Sequence, residues 1–175
     1  MITHLEECDW ISTNGGPLLI ISSSLVPLWR GNETTRDHNL KTDYDRACQV
    51  SGYIGTVDVA HGQAVVCGEQ PFMSTWWHES ASEGMIVRWV CADGEDDITS
   101  LLSNKDVIDW EDDFTIFNNF SDSIHIMDSS RSGFDTEDKL VVLLNRGIYK
   151  IETCLLNLNP RLEFILHRFS LQQPS

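Results

Sequence analysis

The amino-acid sequence predicts an α+β protein, β-dominated, with an antiparallel sheet and a few short helices. Two observations carry that prediction. Short runs rich in Val, Ile, Leu, Phe and Trp recur along the chain, and these residues fit a pleated, half-buried surface. Between the runs stand turn-forming clusters such as Asn118-Asn119, Asn145-Arg146-Gly147 and Asn157 to Pro160, rather than the helix-length segments that parallel βαβ units require. The 175 residues, 41% of them hydrophobic, suffice to bury a core without metal or disulfide staples, so a single domain over residues 1–175 is expected. No internal repeat, low-complexity segment or biased linker divides the chain.

Trp10 to Thr13 and Pro17 to Ile21 read as two strands about Asn14-Gly15-Gly16, a turn whose residues tolerate the positive φ of a β-hairpin. Ser22 to Ser24 are suited to cap a short helix through Leu25, Pro27 and Trp29, which Gly31 ends. Residues 32–41 are polar and read as loop. Thr42 or Asp43 caps a brief helix from Tyr44 to Val50, stopped by Ser51-Gly52. A second hairpin follows, Ile54 to Val59 and Gln63 to Cys67 about Ala60-His61-Gly62. Ser74 to His78 and Met85 to Ala92 are strands separated by polar residues 79–84. Asp93 reads as the N-cap of a helix with Glu95, Asp96 and Asp97 in its first turn and Ile98, Leu101 and Leu102 on its apolar side. Beyond it, Asp113 to Asn118, Ser123 to Met127, Lys139 to Leu144, Gly147 to Leu156 and Arg161 to Phe169 all favour strand.

Charge narrows the classes of function. Twelve Lys and Arg stand against 27 Asp and Glu, a net charge of -15. Nucleic-acid binding needs a basic stripe, so direct contact with nucleic acid is not expected. The N-terminus has neither the basic nor the apolar region of a secretory signal, and the longest apolar stretch, Pro17 to Leu28, is too short to span a bilayer. A cytoplasmic location and no membrane partner follow as expectations. The five cysteines are widely and unevenly spaced, which fits reduced thiols rather than a disulfide framework.

Motifs for chemistry are sparse. His61, Cys67, His78 and Cys91 lack the close pairing of a zinc site, and the 93–97 run lacks the alternating ligands of a calcium loop, so no metal or other cofactor is expected. Neither a nucleophile elbow nor a phosphate-binding glycine loop occurs. Cys48 near Asp43 and Asp45, or Cys67 with His78, would be the nucleophile of a small Cys/His-dependent hydrolase or transferase. Acidic surroundings raise a thiol pKa, however, and a catalytic role is not the favoured reading. Trp76, Trp77 and Trp89 read as core.

The densest feature is acidic. Between Asp93 and Asp113 stand nine carboxylates (Asp93, Glu95, Asp96, Asp97, Asp106, Asp109, Glu111, Asp112 and Asp113) against Lys105 as the only base. Such a cluster is a solvated face or a surface kept for a basic partner. Asp93 to Asp97 has a structural role as a dipole-matched helix start. Asp109 to Asp113 has no such role, and Trp110 in its midst reads either as an aromatic anchor of the type favoured in interfaces or as a Trp tucked under the sheet edge by solvated neighbours.

Several strings share an order and spacing with a known family: Trp10 through Gly15-Gly16-Pro17 to Ile20, Leu28-Trp29-Arg30-Gly31, Asp43-Tyr44-Asp45-Arg46-Ala47-Cys48, and Met85 to Asp93. The chain resembles the immunity protein 21 family of bacterial polymorphic toxin systems. The resemblance implies a cytoplasmic antidote that binds a cognate toxin domain and neutralises it by occluding its active or substrate-binding surface, without catalysis. The matching positions Trp10, Gly15, Gly16, Pro17, Trp29, Gly31, Asp43, Tyr44, Asp45 and Arg46 read as fold-holding residues. Asp43 or Asp45 is expected to pair with Arg46 or to cap its helix. The expected contact residues are Asp109, Trp110, Glu111, Asp112 and Asp113, with Asp93, Glu95, Asp96 and Asp97, facing a basic toxin surface.

Overall fold

The computed structural model describes residues 9–14, 16–34, 40–68, 73–93, 98, 102, 108–135 and 138–172. Within them lie β1 (Ile11–Ser12), β2 (Leu18–Ser22), a 3-10 turn (Val26–Leu28), α1 (Asp43–Ala47), β3 (Gly55–Val59), β4 (Gly62–Cys67), β5 (Met73–Ser80) and β6 (Glu83–Cys91). The remaining strands are β7 (Phe114–Asn119), β8 (Ser123–Asp128), β9 (Lys139–Leu143), β10 (Gly147–Asn159) and β11 (Leu162–Leu171). The β-dominated character read from the sequence holds, but the strands form two antiparallel sheets rather than one. Sheet A has the order β1-β5-β6-β11-β10-β7 and sheet B the order β3-β4-β2-β8-β9.

The sheets stack face to face. Ile11, Trp76, Ile86, Phe117, Tyr149, Ile151 and Phe169 of sheet A meet Leu18, Ile20, Val65, Cys67, Ile124, Ile126 and Val142 of sheet B in one buried cluster. Because side chains alternate along a strand, the neighbouring residues of the same strands point away from this interior. They are buried too. On the far side of sheet B, Leu19, Ile21, Val57, Ala64 and Val66 are covered by Leu25, Val26, Trp29 and Ala47. On the far side of sheet A, Met85, Val87, Cys154, Leu156, Phe164 and Leu166 are covered by Ile98 and Leu102, with Ile108 and Trp110 at the margin. Ile98 and Leu102 are helical, in the segment read as a helix, while Glu95, Asp96, Asp97 and Leu101 lie outside the described residues. Burial on both faces explains why β2 reads as an unbroken apolar run, Leu-Leu-Ile-Ile, rather than alternating.

Several expectations are corrected. The first predicted hairpin is not one: β1 pairs with β5 in sheet A, while β2 pairs with β4 and β8 in sheet B. Ile11 and Ile20 therefore enter the interior from opposite sides, and the turn between them crosses from sheet to sheet. The Asn14 N–H donates to the Asp128 carboxylate at 2.9 Å, anchoring that crossing. A glycine turn serves either purpose, so local sequence did not decide between them. Ser22 closes β2 instead of capping a helix, and Val26–Leu28 forms only a 3-10 turn with no side-chain cap. α1 stops at Ala47, short of the predicted Val50. Strands β5 and β6 extend into the polar 79–84 segment, because only Ala81 and Ser82 are needed for their turn. The hairpin β3–β4 is as read, turning at Ala60, whose φ is 51°.

Arg88 and His167 are among the polar side chains inside the sandwich. Arg88 of β6 donates from Nη2 to the Gly68 carbonyl at 2.9 Å and from Nη1 to that of Tyr53 at 3.3 Å, bridging from sheet A to the chain flanking β3 and β4. His167 of β11 bonds through Nδ1 to Thr153 Oγ1 at 3.0 Å. At the far end of β7, Asn119 donates to the carbonyls of Ser121 and Leu144 at 2.7 and 2.8 Å and accepts from Ser22 Oγ at 2.8 Å. That knot fixes the place where the chain leaves sheet A for sheet B.

Candidate functional site

The residues singled out in the sequence fall on opposite outer faces of the molecule. Those matching the family strings gather outside sheet B. Trp29 is fully buried and donates from Nε1 to the Ser129 carbonyl at 3.0 Å. Gly31 holds φ 59°, and a Cβ there would strike the backbone of Ser130 and Arg131, while its carbonyl accepts the Tyr44 N–H at 3.0 Å. Gly16 is required for a similar reason: a Cβ would lie 2.7 Å from the Tyr44 ring. Thr42 is the N-cap of α1, and its hydroxyl and the Asp45 carboxylate form a reciprocal capping box. Asp43 accepts from the Arg30 N–H and pairs with Arg46, whose Nη1 donates to the Asp58 carbonyl at 2.6 Å. The Pro17 carbonyl accepts the Ser129 N–H. Trp10, on the other side, meets Trp89 edge to face at 5.3 Å. Gly15 lies outside the described residues.

The acidic stretch runs along the outer face of sheet A beside β10. The Glu111 N–H donates to the Thr153 carbonyl at 2.9 Å, so the segment prolongs the line of β7. Trp110 turns inward to the outer apolar cluster, and the Arg168 guanidinium lies 4.4 Å from its ring centroid. Arg168 also grips Glu152 at 2.5 Å, and Lys150 holds the other oxygen of Glu152 at 2.8 Å. Burial alone would raise the Glu152 pKa, but the bonds from Lys150 and Arg168 outweigh it and hold the carboxyl below the usual range. Asp109, Glu111, Asp112 and Asp113 are exposed, and among the described residues no ion pair involves them. Asp93 is exposed just past the end of β6, and β11 separates that strand from β10.

A feature the sequence reading missed adjoins these carboxylates. Phe114 and Ile116 of β7 and Ile148 of β10 are 55%, 45% and 51% exposed. In the β7–β10 register Ile116 stands opposite Lys150 and Ile148 opposite Asn118, which sets all three side chains on the outer face, and the Lys150 ammonium lies 5.0 Å from the Phe114 ring. The run Phe-Thr-Ile-Phe offered no signal that Phe117 faces the interior while Phe114 and Ile116 face out. Only the sandwich supplies that distinction. Beside Trp110 is a small cavity of about 60 Å³ lined by Glu79, Glu83, Met85, Ile108 and Arg168.

The remaining candidates for chemistry are dispersed. Cys67 is fully buried in the interior, which pushes its thiol up to about 11, away from nucleophilic use, while His78 is exposed. Among the described residues no three His, Cys, Asp or Glu side chains cluster as a metal site would. A cleft of about 420 Å³ opens between β1 and the β8–β9 side and is lined by Asp9, Trp10, Asn14, Asp128, Arg131 and Lys139. Its one deeply buried carboxylate, Asp128, is engaged by the N–H groups of Asn14 and Ser130 at 2.9 and 2.8 Å. No helix of the described residues is long and apolar enough to cross a membrane.

The fold and these surfaces define a two-sheet β-protein in which an acidic strip borders a strand with exposed apolar side chains. The sequence model of the family described as immunity protein 21 matches residues 9–161. The chain belongs to that family. No curated protein and no solved structure matches it. The match ends one residue before β11, a strand that lies inside sheet A.

Proposed function

We propose that this immunity protein binds a cognate toxin domain and neutralises it by covering the toxin's active or substrate-binding surface, with no chemistry of its own. The observation that carries the reading is the exposed set Asp109, Glu111, Asp112 and Asp113, free of ion pairs among the described residues and set beside Phe114 and Ile116. Charges at the rim of a contact steer encounter and set register, while apolar side chains at its centre supply affinity. A toxin domain that acts on nucleic acid carries a basic cleft, and a cytoplasmic chain of net charge -15 is repelled by nucleic acid and drawn to such a cleft. Trp110 holds the segment against the sheet from beneath. Asp93, exposed just past the end of β6, adds a further carboxylate on the neighbouring side.

The test is capture. The tagged protein is expressed with the toxin domain encoded beside it, and the complex is isolated. Replacing Asp109, Glu111, Asp112 and Asp113 together by Lys lowers affinity by about a hundredfold or more at low salt while the melting temperature stays near that of the parent chain. Undiminished capture by the folded quadruple variant removes this face from the contact.

A further inference from the structure

The hydrogen-bonding direction of β7 can be read from its neighbours. The Gln172 N–H donates to the Ile148 carbonyl, so Ile148 turns its main-chain groups toward β11, and the Thr153 carbonyl accepts from Glu111 on the opposite side. Main-chain groups alternate direction along a strand. Tyr149, Ile151 and Thr153 therefore face β7, and the pairs Tyr149 with Phe117 and Ile151 with Thr115 exchange the ladder bonds. The N–H and C=O groups of Phe114, Ile116 and Asn118 point the other way, off the end of sheet A. Among the described residues no hydrogen bond reaches them.

We infer that β7 is a docking edge, and that its occupant is an extended, positively charged segment of the toxin that joins sheet A as a seventh strand. The inference rests on the toxin-binding reading above and specifies how the contact is made. Three features single out this edge. Edge strands are ordinarily blunted by lysine, proline, a bulge or brevity, yet β7 spans six residues with none of these. The other edges differ: β1 has two residues, β3 has the Arg46 guanidinium on its Asp58 carbonyl, and β9 opens with Lys139. Charge then selects the guest. The four unpaired carboxylates at the N-terminal end of β7 complement Lys or Arg on the incoming strand and disfavour a second copy of this acidic chain. Main-chain bonds to Phe114, Ile116 and Asn118 would hold the guest, and Phe114 and Ile116 would flank its side chains, the arrangement by which strand addition gains both affinity and specificity.

Ile116→Pro tests the idea because it removes an N–H that β10 does not use, and proline is tolerated where a strand's N–H faces solvent. Ile116→Ala keeps the N–H and trims the side chain. The proline variant, folded by its melting curve, loses about tenfold or more in affinity for the toxin domain beyond the loss seen with alanine. In the wild-type complex the amides of Phe114, Ile116 and Asn118 become protected from hydrogen exchange. If the proline variant binds like the alanine variant and those amides exchange equally fast free and bound, strand addition is wrong. Loss of capture in the quadruple charge variant alone would then leave the toxin-binding reading standing without it. Failure of the wild-type chain to capture the toxin sinks both, and protection that rises with concentration of the free protein assigns the edge to self-pairing instead.

Discussion

At the level of single residues, His167 illustrates how the interior constrains chemistry. Burial, reinforced by the Arg88 charge, lowers its pKa to about 3, so the folded protein holds it neutral. The unfolded chain titrates it near 6.5. Between these values the unfolded state binds the extra proton, so the contribution of His167 to stability is complete above about 6.5 and declines as the pH falls toward 3. Between neutrality and pH 5 the loss is about 2 kcal/mol. Urea unfolding of the wild type against His167→Gln checks this: the variant should have a flatter dependence over that range, whereas parallel curves would contradict it. Glu152, with its lowered pKa, adds to acid lability in both proteins and cancels in the comparison. None of this was legible in Leu-His-Arg-Phe, where His167 looked no different from the exposed His78. What distinguishes them is depth, which depends on strands far apart in sequence. Gly31 and Trp29 were legible, because one needs a positive φ and the other a large buried volume wherever the chain goes.

At the level of elements, local signals succeeded where a single segment suffices to define the structure. The capping box of α1 requires only Thr42 and Asp45, three residues apart, and the sequence narrowed the cap to Thr42 or Asp43, of which the structure uses Thr42. Thr42→Ala is expected to cost about 1 kcal/mol, read as a lower urea midpoint with an unchanged m-value. A larger loss would mean that α1 also supports its neighbours through Asp43, Arg30 and Arg46. Strand positions were legible for the same reason, since β-branched and aromatic runs between Asn, Gly and Pro define a strand without reference to its partner. Pairing was not. β1 and β2 met every local requirement of a hairpin and were drawn to different sheets by partners more than forty residues away. The acidic strip was legible as composition, but the apolar edge beside it was not, because in a run like Phe114 to Phe117 the outward positions are set by the opposing sheet.

For the whole molecule, the proposed contact with a basic toxin surface makes charge the determinant of encounter. A surface with net charge -15 attracts a basic partner over distances comparable with the Debye length, so its effect appears first in the association rate. Stopped-flow measurements should show that rate falling by about tenfold from low salt to about 0.5 M, with the dissociation rate changing much less. A salt-independent association rate would place the contact away from the acidic face. The architecture adds a constraint of timing. β7 is attached to sheet A through β10, and β10 is joined to β6 only by β11, so the edge strand has no supporting sheet until residues 162–171 have been made and inserted. A ribosome that has reached Asn119 has made every residue of that edge and none of the β10–β11 hairpin that gives it shape. The proposed docking edge would therefore be completed only with β11, all at once, and a chain cut before residue 162 is expected to lack that edge altogether rather than to carry a weaker one.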